Sequence, residues 1–175
     1  VLLAAFPLRN YYLFLKEPVA PLTDAIPEQT AVIIKTGSLQ NMIKVIRSSA
    51  LGKMLDDSTT GSTYKNLAGF IEKYSEKSDY FSSLAEQNEM MICLVPDKDS
   101  QPEFLFLAAI GKTSPGDIRD EIEKIMPAGT QIEKIKYKPV DLFKIKINNR
   151  EYWFFISKGI LAFSFKREII EQSCL

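Results

Sequence analysis

Between Gln131 and Phe165 the chain alternates apolar and polar residues almost without interruption, and turn residues fall at regular intervals along it. The segments read QIEKIKYK, a break at Pro139, LFKIKI, a turn at Asn148-Asn149, EYWFFI, a turn at Ser157-Lys158-Gly159, and ILAFSF. Alternation with a period of two is what a half-buried strand requires, so this stretch predicts an antiparallel meander. A sheet with one apolar face needs a cover. In the third strand Tyr152, Trp153, Phe154 and Phe155 put aromatic rings on both faces, so the second face also calls for a helix or a partner.

The remaining chain supplies that cover. TAVIIKT is a short β-branched strand, broken at Gly37, and Ser38 is placed to cap the helix after it. Leu39, Met42, Ile43, Ile46, Ala50 and Met54 recur at helical spacing, as do Tyr64, Leu67, Ala68, Ile71 and Tyr74. A short helix beginning at Ser78-Asp79 carries Phe81, Leu84 and Ala85. EMMICLV and EFLFLAAI are nearly continuous apolar runs of strand length joined by the polar loop PDKDSQ, which predicts a hairpin of central strands. Ser114-Pro115-Gly116-Asp117 starts another helix: Ser as N-cap, Pro at the first position, Asp near the positive end of the dipole. Its buried stripe is Ile118, Ile122, Ile125 and Met126, and Pro127-Ala128-Gly129 ends it. The expected fold is α+β: a largely antiparallel sheet with amphipathic helices packed mainly on one face.

Composition narrows the function classes. At 175 residues, 46% of them hydrophobic and 25% charged, the chain has the mix of one folded domain. Twenty-two basic residues balance twenty-two acidic ones, so no global field draws it to nucleic acid, and no nucleic-acid partner is expected. There is no histidine, which removes the usual general base and the commonest metal ligand together. No P-loop or dinucleotide pattern is present: Gly37 and Gly52 lack the companions a phosphate cradle needs. Asp97 and Asp99 flank Lys98 in a loop tip and read as solvated turn residues. No catalytic residue, metal ligand or cofactor is assigned. Cys93 and Cys174 have no CxxC spacing and are expected to stay unpaired, since a disulfide framework usually uses more cysteines.

One electrostatic feature stands out. Ile135 and Tyr137 alternate with Lys134, Lys136 and Lys138, and Phe143, Ile145 and Ile147 alternate with Lys144 and Lys146. If register keeps the apolar sets together, the five lysines share one face of the hairpin spanning 134–146, with Tyr137 and Tyr152 nearby. Such a face would take an anion or a polyanionic partner; its plainer role is to keep an exposed edge soluble.

The N-terminal region points to a compartment. VLLAAFPLRNYYLFL is apolar but interrupted at Pro7, Arg9 and Asn10, and is shorter than the 20 or so residues a spanning helix needs. It suits the outer end of a longer membrane anchor or an ordinary N-terminal helix. KEPVAPLTDAIP, with Pro18, Pro21 and Pro27, reads as a stiff spacer. Residues 1–24 are therefore set apart from a single α+β domain at 25–175. ILAFSF runs directly into KREIIEQSCL, as TAVIIKTG runs into SLQNMIKVI, a weak internal repeat that suggests a longer parent protein.

The segment PVAPLTDAIPEQTAVIIKTGSLQNMIKVIRSSALGKML resembles the start of a group of membrane-anchored envelope proteins of bacteroidete-type bacteria, carrying a domain of unknown function. Ala25-Ile26-Pro27, the strand at Ala31 to Ile34 and the helix from Leu39 to Leu55 carry the resemblance. It implies a noncatalytic extracytoplasmic domain, anchored through an upstream span, that binds a protein or an envelope component. It carries over no site residue.

Overall fold

A computed structural model describes residues 18–48, 69, 77–96, 103–147 and 150–174. Seven strands form one sheet: β1 Val32–Thr36, β2 Met90–Val95, β3 Glu103–Ala109, β4 Ile132–Tyr137, β5 Val140–Ile147, β6 Arg150–Ser157 and β7 Ile160–Ser164. Their spatial order is β1-β2-β3-β7-β6-β5-β4 and every neighbouring pair is antiparallel. With the helices α1 Leu39–Ser48, α2 Asp79–Gln87, α3 Pro115–Ile125 and α4 Arg167–Gln172, the fold is α+β, as expected from the sequence. The expected helix at Tyr64 to Tyr74, the 1–15 segment, Asp97, Asp99 and the Asn148-Asn149 turn lie outside the described residues.

Alternation along the strands divides the core in two. On the first face Met90, Ile92, Phe104, Phe106, Phe143, Ile145, Phe154 and Ile156 pack against Ile43 of α1, Leu84 of α2, and Ile118 and Ile122 of α3. On the second face Met91, Cys93, Leu105, Leu107, Leu142, Trp153, Phe155 and Ile160 pack against Ile169 and Ile170 of α4 and against Leu22 and Ala25 of a single 3₁₀ turn. The described helices thus do not all share a face. The rings that β6 sends both ways are the reason: Phe154 and Phe155 are both fully buried, one in each cluster. The strand-to-helix steps β1–α1 and β7–α4 send their helices to opposite faces.

Local chemistry explains the punctuation. The Ser114 hydroxyl accepts from the Gly116 amide at 3.2 Å, capping α3 behind Pro115. Ser78 caps α2 by accepting from Phe81 N at 3.4 Å, and its hydroxyl donates to Glu121 Oε2 of α3 at 2.9 Å, tying the two helices together. The β6–β7 turn holds Lys158 and Gly159 at φ of +45° and +76°, the double left-handed step that a two-residue hairpin favours. Gly159 is required there twice over. A Cβ would lie 2.7 Å from the Gly111 carbonyl oxygen and 2.8 Å from Val19 Cγ1, because Ile110 N donates to Gly159 O and Ala20 N to Lys158 O, each at 2.9 Å.

Candidate functional site

The lysine hairpin is shaped by its turn. Lys138, at φ +54°, and Pro139 make a two-residue connection, and Tyr137 pairs with Val140. A two-residue turn sets even positions of β4 opposite odd positions of β5, so Lys134 faces Phe143, Lys136 faces Asp141, and Glu133 faces Lys144. Directly paired residues share a face. Lys134 and Lys136 therefore stand on the first face, and Lys144 and Lys146 on the second. The expected single face of five lysines is corrected by this register. β5 permits it because Leu142 and Phe143 are both buried, on opposite sides of the sheet, so its apolar set fixes no single phase.

Each cation also has local company. Lys134 Nζ lies 2.8 Å from Asp141 Oδ2, and Lys136 Nζ 3.6 Å from Asp141 Oδ1. Hydrogen bonding from Lys134 holds the Asp141 carboxyl below its usual range. Lys144 bonds Glu133 at 2.6 Å, with Glu151 at 3.9 Å, and its ammonium lies 5.7 Å from the centre of the Trp153 ring. Arg167 of α4 stands 5.5 Å from the same ring, and is paired with Glu171 at 2.7 Å. Lys146 is opposite Glu151 in register, and Lys138 sits 5.1 Å from the ring of Tyr137 in the turn. Tyr137 belongs to the second cluster. Tyr152 belongs to the first, stacked on Phe163 at 5.9 Å and beside Phe165 at 5.6 Å. The seven candidate residues are thus split between two faces and a turn, and most of their charge is compensated where it stands.

The other reactive groups are occupied in packing. Cys93 and Cys174 are both free, and burial pushes each thiol up to about 11, which leaves little thiolate at neutral pH. Glu121 is held below its usual range first by Lys124, 2.6 Å away, and then by Ser78. Burial raises the Tyr80 hydroxyl nearby. Ser164, fully buried, donates to Phe104 O at 2.8 Å and accepts from Lys166 N at 3.3 Å, so it fastens β7 to β3. Among the described residues no three His, Cys, Asp or Glu side chains gather as a metal site would need, and no helix is long and apolar enough to cross a membrane.

The feature that sequence reasoning passed over is the outer edge of β1. Val32 and Ile33 are 45% and 49% exposed, values that set them apart from the apolar residues of the central strands. Among the described residues no strand pairs with that edge. Ala31 N donates to the Leu94 carbonyl, opposite Val32, at 2.9 Å, so Ala31 and the first residue of β1 both face Leu94 in a bulge at the strand's start. Its sequence signal was present: VII is β-branched throughout, with only Lys35 to guard it, and Lys35 is engaged with Glu89 at 3.0 Å.

No protein-family model, no curated protein and no solved structure matches the chain.

Proposed function

We propose that the chain is a noncatalytic, extracytoplasmic domain of a membrane-anchored bacterial envelope protein, and that it works by binding another protein through the edge of its sheet. The observation that carries this reading is the β1 edge, with which no strand pairs among the described residues and where Val32 and Ile33 offer exposed apolar side chains. An extended segment from another chain satisfies both at once, by adding a strand. The envelope location rests on the apolar start of the chain, its proline spacer and the resemblance given above. The polyanion alternative, built on Lys134, Lys136, Lys138, Lys144, Lys146, Tyr137 and Tyr152, is less favoured because those cations face two ways beside carboxylates.

A photo-crosslinking residue at position 33, compared with one at position 134, tests the reading in cells carrying the full-length parent. Protein adducts are expected from position 33 and not from 134. Protease protection in intact cells and spheroplasts tests the compartment: cleavage within 25–175 only after the outer barrier is opened is the expected result. Protection that persists in spheroplasts would place the domain in the cytoplasm.

A further inference from the structure

From Val19 to Pro27 the proline-containing stretch lies along the domain. Ala20 N donates to Lys158 O at 2.9 Å, Val19 Cγ1 lies against Gly159, and Leu22, Ala25 and Pro27 are buried, the first two in the second cluster. The chain therefore enters the domain at a fixed place, the β6–β7 turn. In the sequence only Lys16, Glu17 and Pro18 separate Val19 from the apolar run that ends at Leu15. Fully extended, the chain from Leu15 to Val19 reaches at most about 14 Å. Resting on the membrane-anchored reading above, we propose that the end of the sheet bearing the β6–β7 and β4–β5 turns sits on the bilayer, with Lys138 and Lys158 against the headgroups of anionic phospholipids.

Register decides which residues share that end. Leu142 pairs with Phe155 and Ala109 with Ile160, so both turns and the end of β3 project the same way, while Arg150, at the start of β6, lies at the opposite end. Each turn carries an exposed lysine. Lys138 and Lys158 are the two non-glycine residues with positive φ among the described residues. Turn geometry favours glycine or asparagine in that conformation, so a lysine in both turns calls for a reason other than backbone shape. Val19, 46% exposed beside Gly159, adds an apolar side chain to the same end. The carboxylates of Glu89 and Asp141, also at that end, are engaged by Lys35 and Lys134.

The short link is what selects a lipid surface over a soluble polyanion. It keeps Lys158 within about two Debye lengths of the membrane at physiological ionic strength, where an anionic leaflet attracts lysine. One contact would leave the domain free to pivot. Lys138, in the turn on the far side of β6 and β5, supplies a second point and Val19 a third, and three points fix a plane. The strands then stand on the bilayer. Val32 and Ile33, near the end of β1 that pairs with Leu94, are held away from it and stay within reach of a protein partner.

In the full-length parent in its own membrane, a photo-crosslinking residue at position 138 should form lipid adducts and one at position 150 should form none. Adducts at both positions or at neither, from protein that stays with the membrane through alkaline carbonate, overturn the orientation and leave the anchored reading standing. Release of the parent by carbonate overturns both. The lysines are tested with the 175-residue chain on vesicles of phosphatidylglycerol and of phosphatidylcholine. Lys138→Gln and Lys158→Gln should each weaken binding to phosphatidylglycerol about fivefold, leave phosphatidylcholine binding unchanged and preserve the circular dichroism spectrum. Arg150→Gln should change neither. Lysine variants that bind phosphatidylglycerol as the parent does, or an equal loss in Arg150→Gln, overturn the headgroup contact.

Discussion

β1 and β4 both border the sheet, yet they were built by different rules. β4, IEKIKY, carries a charged residue at three of its six positions, and Glu133–Lys144 and Lys134–Asp141 are spanned by ion pairs. Behind it Trp153 is buried under Lys144 and Arg167. β1 has almost no polar alternation, and among the described residues its defence is its five-residue length, the bulge at Ala31 and Lys35. An isolated exposed ion pair is worth little in stability. What the β4 pairs contribute is mainly exclusion: a neighbouring strand would have to strip water from charges there, but only from methyl groups at β1.

Mutations can break that contrast, and the largest effect is expected where the guarded half is anchored. Trp153→Ala empties the space beneath two cations and should cost about 3–5 kcal/mol in denaturant unfolding, with the β5–β6 amides losing exchange protection before those of β2–β3. Gly159→Ala acts at the join between the halves. The added methyl meets the Gly111 carbonyl oxygen in a left-handed conformation, so a loss of about 2–4 kcal/mol is expected. A smaller effect, about 0.2–1 kcal/mol, is expected for Lys134→Gln, and its pH dependence identifies its origin. Because Asp141 titrates below its usual range in the folded protein, its ion pair stabilises above a pH of about 4 and is lost as the pH falls through the folded value. The gap between parent and Lys134→Gln should therefore be present at neutral pH and close in strong acid. Smallest of all, Ile33→Lys should change stability by no more than about 0.5 kcal/mol in denaturant unfolding, since the side chain is half exposed. A large loss there would show that Ile33 is a packing residue and would remove the distinction between the edges.

Much of the architecture was legible because it is local. The meander follows from alternation, α3 from Ser114-Pro115, and the β6–β7 turn from Lys158-Gly159. What could not be read is non-local. That β3 lies beside β7, and that β1 is an edge, depends on pairings 51 to 62 residues apart along the chain. The candidate site failed for a subtler reason. Alternation gives the phase of each strand, but the facing of one strand against the next depends on the parity of the turn, and the Pro139 break did not reveal whether two or three residues would make it. The apolar residues at both Leu142 and Phe143 were the available warning that β5 tolerates either phase.

The β3–β7 seam also bears on how the molecule comes into being. The four strands β4 to β7 connect through short links and can assemble as a nearest-neighbour unit, whereas the ladder from Leu105–Ser164 to Ala109–Ile160 joins them to the first half only after a long loop has closed. The Ser164 hydroxyl reaching Phe104 O spans 60 positions of chain. Closure of that seam should therefore limit the folding rate, with refolding on the slow, millisecond-to-second scale typical of distant β pairings. Until it closes, the growing sheet has β7 as a temporary border, lined by Ile160 and Ala162, so the interval before closure is when this chain is most exposed to pairing with the wrong neighbour.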